Sequence, residues 1–205
     1  MIVIVDYGIG NLGSIRNMLK SVGVPAAISS NVEEIENADK LILPGVGAYD
    51  TGMRHLLDSG LIDVLNRKVL EGKTPTLGIC LGMQLLMKGS EEGDLPGLGW
   101  IDGHTVRYRF DEDQKQLKVP HMGWNTVNVK QQSGLFSGLE DEAHFYFVHS
   151  FHVVCSNADD VLTETSYGYD FVSSVRRDNV MGTQFHPEKS HKFGKQLLKN
   201  FAEIV

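Results

Sequence analysis

The chain predicts an α/β fold: an open, mainly parallel central sheet flanked by helices, with a smaller antiparallel β part. Three observations predict it. The first half alternates short apolar runs with amphipathic helical stretches, which is the βαβ rhythm of a parallel sheet covered by helices. At its end an apolar run enters Gly78-Ile79-Cys80-Leu81-Gly82, the pattern of a sharp strand-to-helix turn. The second half is β-rich and divided by polar turns.

Ile2 to Val5 is a continuous apolar run, as expected of a strand buried on both faces. Ile15, Met18, Leu19 and Val22 then recur at helical spacing, with Gly23 as the stop. Ala26–Ser29 and Leu41–Leu43 read as the next two strands, with Glu33 and Glu34 in the first turn of a helix between them. The stretch from Asp50 to Leu70 is amphipathic and helical, with a break near Gly60. Thr76–Ile79 feeds the turn at Cys80. Beyond it, Trp100–Phe110, Met122–Val129, Phe145–Val154, Phe171–Arg176 and Val180–Phe185 are expected strands, with Arg177-Asp178-Asn179 as one of the turns. Residues 111–116 read as a polar, mobile loop tip. Ser190 is placed to cap a last helix that carries Phe193, Leu197, Leu198 and Phe201 on one face.

At 205 residues the chain can build one large core, and it holds no repeat, low-complexity tract or linker. A single domain over residues 1–205 is expected. A net charge of −7 without a basic run argues against nucleic acid as a partner. Two cysteines, Cys80 and Cys155, cannot form a disulfide framework. The absence of a signal-like start or an apolar stretch of membrane length points to a reducing, cytoplasmic setting.

The turn at Cys80 is the thiol form of a nucleophile elbow. Gly78 and Gly82 fit it because Cβ atoms beside the nucleophile would crowd the backbone. A thiol there needs a base and an orienting group. His186-Pro187-Glu188 offers both, since residues two apart in an extended segment face the same way and Pro187 favours extension at His186. Alone, His-Pro-Glu is an ordinary turn after a strand. Joined to the elbow, it completes a Cys80-His186-Glu188 triad. Acyl transfer also needs two amide donors for the developing oxyanion. Leu81 supplies one, and Val46 or Gly47 in the Pro44-Gly45-Val46-Gly47 turn the other. The glycines flanking Val46 would allow that peptide plane to rotate.

Other motifs weaken on inspection. Gly8-Ile9-Gly10-Asn11-Leu12-Gly13 matches a dinucleotide fingerprint, yet the second strand ends in Ser29-Ser30-Asn31 instead of an acid for the ribose. A tight first βα loop accounts for it better. His149 and His152, three apart in one strand-like run, should point to opposite faces, and no metal site or cofactor is expected. Cys155 reads as a small buried hydrophobe.

Together the elbow, the Pro44–Gly47 turn and Gln184-Phe185-His186-Pro187-Glu188 resemble the triad-type, class I glutamine amidotransferases. Asp6–Asn11, Gly45–Tyr49, Pro120-His121-Met122-Gly123-Trp124-Asn125, Phe147–Phe151 and His186–Ser190 are similar to the branch of glutaminase subunits that serves imidazole glycerol phosphate synthase. These segments run from residue 6 to residue 190. The resemblance implies hydrolysis of glutamine to glutamate and ammonia, with Gln84, Glu92 and Ser150 gripping the glutamine. It also implies a (β/α)₈-barrel cyclase partner, which uses the ammonia to make imidazole glycerol phosphate and AICAR in histidine biosynthesis. Asn11, Trp124, Tyr146 and Lys189 would face that barrel in a heterodimer. Many family members have Tyr where this chain has Phe151. Three alternatives share parts of the pattern: a glutaminase serving another synthase, such as that of anthranilate or GMP, a stand-alone γ-glutamyl hydrolase, and a nucleotide-binding protein with an inert Cys80.

Overall fold

The apolar runs of the first half become four parallel strands side by side. The computed structural model describes residues 1–114, 116–139 and 143–203. Lys115, inside the expected loop tip, lies outside the described residues. Strand β1 (Ile2–Val5) pairs with β2 (Ala26–Ser29) on one side and β3 (Lys40–Gly45) on the other, and β3 pairs with β4 (Thr76–Cys80), all parallel. The crossovers carry α1 (Leu12–Ser21), α2 (Val32–Glu36), α3 (Tyr49–Asp58) and α4 (Ile62–Asn66), and the chain leaves β4 straight into α5 (Leu81–Leu85). Asn31 caps α2 by accepting from the amides of Glu33 and Glu34. The expected break near Gly60 is real: Gly60 has φ +69 and separates α3 from α4, which runs on into a π-helical turn at Arg67–Glu71.

The β-rich half adds β5 (Gly89–Ser90), β6 (Gly103–Arg107), β7 (His121–Thr126), β8 (Asn128–Val129), β9 (His144–His149), β10 (Phe151–Cys155), β11 (Val161–Tyr167), β12 (Tyr169–Arg177) and β13 (Val180–Thr183). β13 lies parallel to β4 and hands over to antiparallel pairs, so one sheet runs β2-β1-β3-β4-β13-β12-β10-β6-β5, with β11 and β8 branching from β12. β7 and β9 form the separate small antiparallel sheet. The run Phe145–Val154, expected as one strand, is two: the chain changes sheets at Ser150.

Alternation along β1 and β3 splits the core into two layers. Val3, Val5, Leu41 and Leu43 pack against α3, α4 and α5. Ile2, Ile4, Ile42, Leu77 and Ile79 face α1, Phe145 and Phe147 of β9, and α6 (His191–Glu203). Leu197, Leu198 and Phe201 are fully buried there, as the apolar stripe predicts, and each contributes about 1.5–3 kcal/mol of burial. Ser190 differs from expectation. Its hydroxyl turns away from the helix, donates to the His186 carbonyl at 2.6 Å and accepts from the Tyr146 amide at 3.0 Å.

Candidate functional site

Parallel strands put their C-terminal ends at one edge, and β1, β3, β4 and β13 all deliver loops there. Cys80 ends β4 with φ 55 and ψ −110, a conformation L-residues rarely adopt. Such strain costs about 1–3 kcal/mol and persists only where the surroundings enforce it. Here the neighbours do enforce it. A Cβ on Gly82 would stand 1.9 Å from the Leu43 carbonyl oxygen, and one on Gly78 would stand 2.8 Å from the Gly82 carbonyl oxygen. Gly82→Ala should therefore push α5 off β3. We expect a loss of about 1–3 kcal/mol by thermal unfolding and about a 10²-fold loss of turnover, because a shift near 1 Å suffices for that.

His186 reaches the same edge just beyond β13. Its amide donates to the Tyr146 carbonyl at 2.9 Å, and Ser190 holds its own carbonyl. Nδ1 lies 2.8 Å from Glu188 Oε1 with both side chains buried, which leaves Nε2 as the nitrogen available to Cys80, whose thiol lines the same cavity. The three expected residues are thus brought together. Burial pulls the imidazole pKa down, but the hydrogen bonds to Cys80 and Glu188 and their charges outweigh it and raise the pKa to about 9. Removing Cys80 takes away the largest upward cause. In Cys80→Ala the His186 pKa, followed by NMR titration, should fall below about 9; an unmoved value would separate the two side chains.

A cavity of about 400 Å³ opens over Cys80, and Val46, Gly47, Leu81, Gln84, Glu92, Ser150, His186 and Lys189 all line it. Glu188 sits behind His186. Gln84 donates both amide hydrogens inward, to the Phe151 carbonyl at 3.1 Å and to Gln184 Oε1 at 3.0 Å, so only its oxygen remains to meet a ligand. Glu92 lines the cavity while its Oε2 accepts from the Tyr49 amide at 3.0 Å.

The Pro44–Gly47 turn behaves unequally at its two glycines. A Cβ on Gly45 would meet the Gly82 amide nitrogen at 2.6 Å, so this end is clamped to the elbow. Gly47 has φ +93 with open space around it, and Val46 is 41% exposed. The open end of the turn is therefore the Val46–Gly47 peptide, while the Gly45 end is packed against the elbow. The Tyr7 hydroxyl pins the turn by donating to the Pro44 carbonyl at 2.5 Å. Burial, then the nearby Cys80, raise the Tyr7 pKa, so it remains a donor.

Trp124 and Tyr146 face each other across β7 and β9, and their rings meet edge-on at 6.2 Å. Trp124 is 47% exposed and stacks on His191, and the Lys189 ammonium lies 5.7 Å from the Tyr146 ring centre. Asn11 holds the N-cap position of α1, which packs against the Pro187–Lys189 turn.

Sequence reasoning missed Tyr7, Gln184 and the Phe151 carbonyl. Gln184 is fully buried and its amide points at Cys80 Sγ across 3.8 Å; an amide inside the apolar run Val180–Phe185 was the available signal. The opposite-face expectation for His149 and His152 fails, because the sheet change at Ser150 breaks their alternation and both rings pack on Tyr108. No group of three or more metal-ligating side chains occurs among the described residues.

The sequence pattern of the family described as "Glutamine amidotransferase class-I" matches residues 3–205. The chain is 54% identical over 205 residues, all of both proteins, to imidazole glycerol phosphate synthase subunit HisH 2 of Pseudomonas aeruginosa. It is 51% identical over 201 residues, 98% of each, to the HisH 2 subunit of Methanococcus maripaludis. A crystal structure described as a glutamine amidotransferase superposes with TM-score 0.73 at 24% identity, covering 99% of this chain and 98% of the other, which speaks to the fold alone. The chain belongs to the class-I glutamine amidotransferase family, and within it to the HisH-type amidotransferases of histidine biosynthesis.

Proposed function

We propose that the chain hydrolyses glutamine through Cys80, His186 and Glu188 and passes the ammonia to a barrel-shaped cyclase subunit. The observation that carries this reading is the buried line from Glu188 through His186 to a thiol held on a strained elbow. His186 takes the thiol proton as Sγ adds to the side-chain amide carbon of glutamine. The oxyanion accepts from the Leu81 amide and from the turn at Val46 and Gly47. On collapse the C–N bond breaks and His186 gives its proton to the departing ammonia, leaving a γ-glutamyl thioester. His186 then takes a proton from water, whose oxygen displaces Sγ and releases glutamate. Glu188 orients the imidazole and stabilises its cationic form. Glu92 suits the α-ammonium of the substrate, the Gln84 oxygen accepts from it, and Ser150 suits the α-carboxylate. The chemistry needs a free thiol, in keeping with a cytoplasmic setting and one glutaminase domain over residues 1–205.

Ammonia must avoid bulk water to remain a nucleophile, so the partner should close over the cavity mouth. The cluster of Trp124, Tyr146 and Lys189, with Asn11 on the neighbouring loop, is the surface for it. The Val46–Gly47 peptide supplies control: turned one way it aims an N–H at the oxyanion, turned the other a carbonyl. The test is glutamine hydrolysis by the chain alone, then with the cyclase subunit, then with the cyclase and its nucleotide ligand. Rising activity along that series is expected. Full activity in the isolated chain would remove the switch, and no hydrolysis under any condition would remove the reading.

A further inference from the structure

Next in the chain to the cavity-lining Pro120, Val148 and Ser150, two buried histidines lie in a line of hydrogen bonds whose direction is fixed at both ends. At the outer end Asn125 Oδ1 accepts from the Thr126 amide and Nδ2 donates to the Ser166 carbonyl at 3.0 Å, so the amide cannot be turned over. That Nδ2 lies 3.3 Å from His121 Nε2, which must therefore accept. At the inner end His149 Nδ1 lies 2.8 Å from the Phe151 carbonyl, which can only accept, so Nδ1 carries hydrogen. The two rings meet at 3.1 Å, His121 Nδ1 to His149 Nε2. Both ends demand the same arrangement: each ring is protonated on Nδ1 and accepts on Nε2. Burial favours neutral rings, pulling the His121 pKa down to about 4 and that of His149 well below its usual value.

The receiving carbonyl is a special one. The Tyr108 amide bonds the Ser150 carbonyl, so the next pair along β6 and β10, Arg107 and Phe151, is a non-bonded one whose backbone groups point away from each other. On its other side β10 registers with β12 only at Val153. The Phe151 carbonyl consequently turns to side chains and accepts from two, His149 Nδ1 and Gln84 Nε2. Gln84 in turn donates to Gln184, whose amide points at Cys80. Phe151 and Gln84 line the cavity beside Ser150.

We propose that His121 and His149 are positioning residues for glutamine: their line of hydrogen bonds from Asn125 fixes the Ser150–Phe151 backbone and holds the Gln84 oxygen toward the ligand. This rests on glutamine occupying the cavity. Because the relay acts on the walls that grip substrate, its loss should raise the KM for glutamine far more than it lowers kcat.

The experiment measures glutamine hydrolysis by the chain with its cyclase subunit for wild type, His149→Phe and His149→Asn. Asn places an N–H where Nδ1 stood and restores the bond to Phe151, whereas Phe fills the space without it. His149→Phe is expected to raise KM by about tenfold or more, in line with a lost hydrogen bond to a buried group, with kcat within about threefold, and Asn should recover most of the KM. A parallel loss of kcat and KM in both variants, or no change in either, would overturn the proposal. Nitrogen NMR of the wild-type imidazoles tests it without any variant: Nδ1–H on both rings is expected, and Nε2–H on His149 would refute it. A wild type that hydrolyses no glutamine would sink the functional reading and, with it, the role toward glutamine, while the expected tautomers would leave the line of hydrogen bonds itself standing.

Discussion

Cys80→Ala is expected to abolish glutamine hydrolysis while the partner still makes product from added ammonia. In the proposed function the synthase chemistry resides on the other subunit, so removing the thiol stops only the supply. The one other cysteine of the sequence cannot replace it. Cys155 sits on β10, and burial, with Asp160 close by, pushes its thiol up to about 12, leaving almost no thiolate near neutrality. Cys155→Ser should therefore keep near-wild-type turnover. Glutamine-dependent product at more than background from Cys80→Ala would end the assignment.

His186→Ala should be nearly as severe, and Glu188→Gln clearly less so. In the proposed mechanism, removing the imidazole removes both the base that takes the thiol proton and the acid that releases ammonia. In Glu188→Gln the new side-chain amide oxygen would still accept from Nδ1–H, so the ring stays in place, but the charge that favours imidazolium is gone. In a triad of this logic an orienting carboxylate lost alone leaves roughly 10- to 100-fold more activity than loss of the base. The carboxylate is placed to matter electrostatically: it is buried, and its Oε2 has no hydrogen-bond partner among the described residues. Steady-state kcat for the two variants checks the order. Wild-type turnover in Glu188→Gln would show that another group orients His186.

The parallel half of the sheet and the segments that meet at the candidate site were legible because both are written in local patterns. Four-residue apolar runs, a glycine on either side of Cys80 and the His-Pro-Glu spacing need no distant information. Four features escaped because they depend on it. β11 was unmarked since its inward positions Thr163 and Thr165 are polar; they are satisfied by Ser173 Oγ at 2.8 Å and the Thr126 carbonyl at 2.9 Å, bonds visible only once the sheet is assembled. The sheet change at Ser150 hides inside an unbroken β-like run, which is why His149 and His152 were assigned to opposite faces. Ser190 looked like a helix cap, yet the amide of Tyr146, 44 residues earlier in the chain, and the His186 carbonyl compete successfully for its hydroxyl. Gly45 and Gly47 look alike in sequence, and only the approach of Gly82 distinguishes the clamped one from the free one.

The central claim is that Cys80 is the nucleophile toward the side-chain amide of glutamine. The most direct measurement is intact and peptide mass spectrometry after exposing the chain, with its partner, to a glutamine-shaped electrophile such as the diazoketone analogue. The account predicts one equivalent of adduct, on Cys80 alone, slowed by excess glutamine and by His186→Ala. Modification of Cys155 in place of Cys80, or labelling of Cys80 that glutamine does not slow, would contradict it.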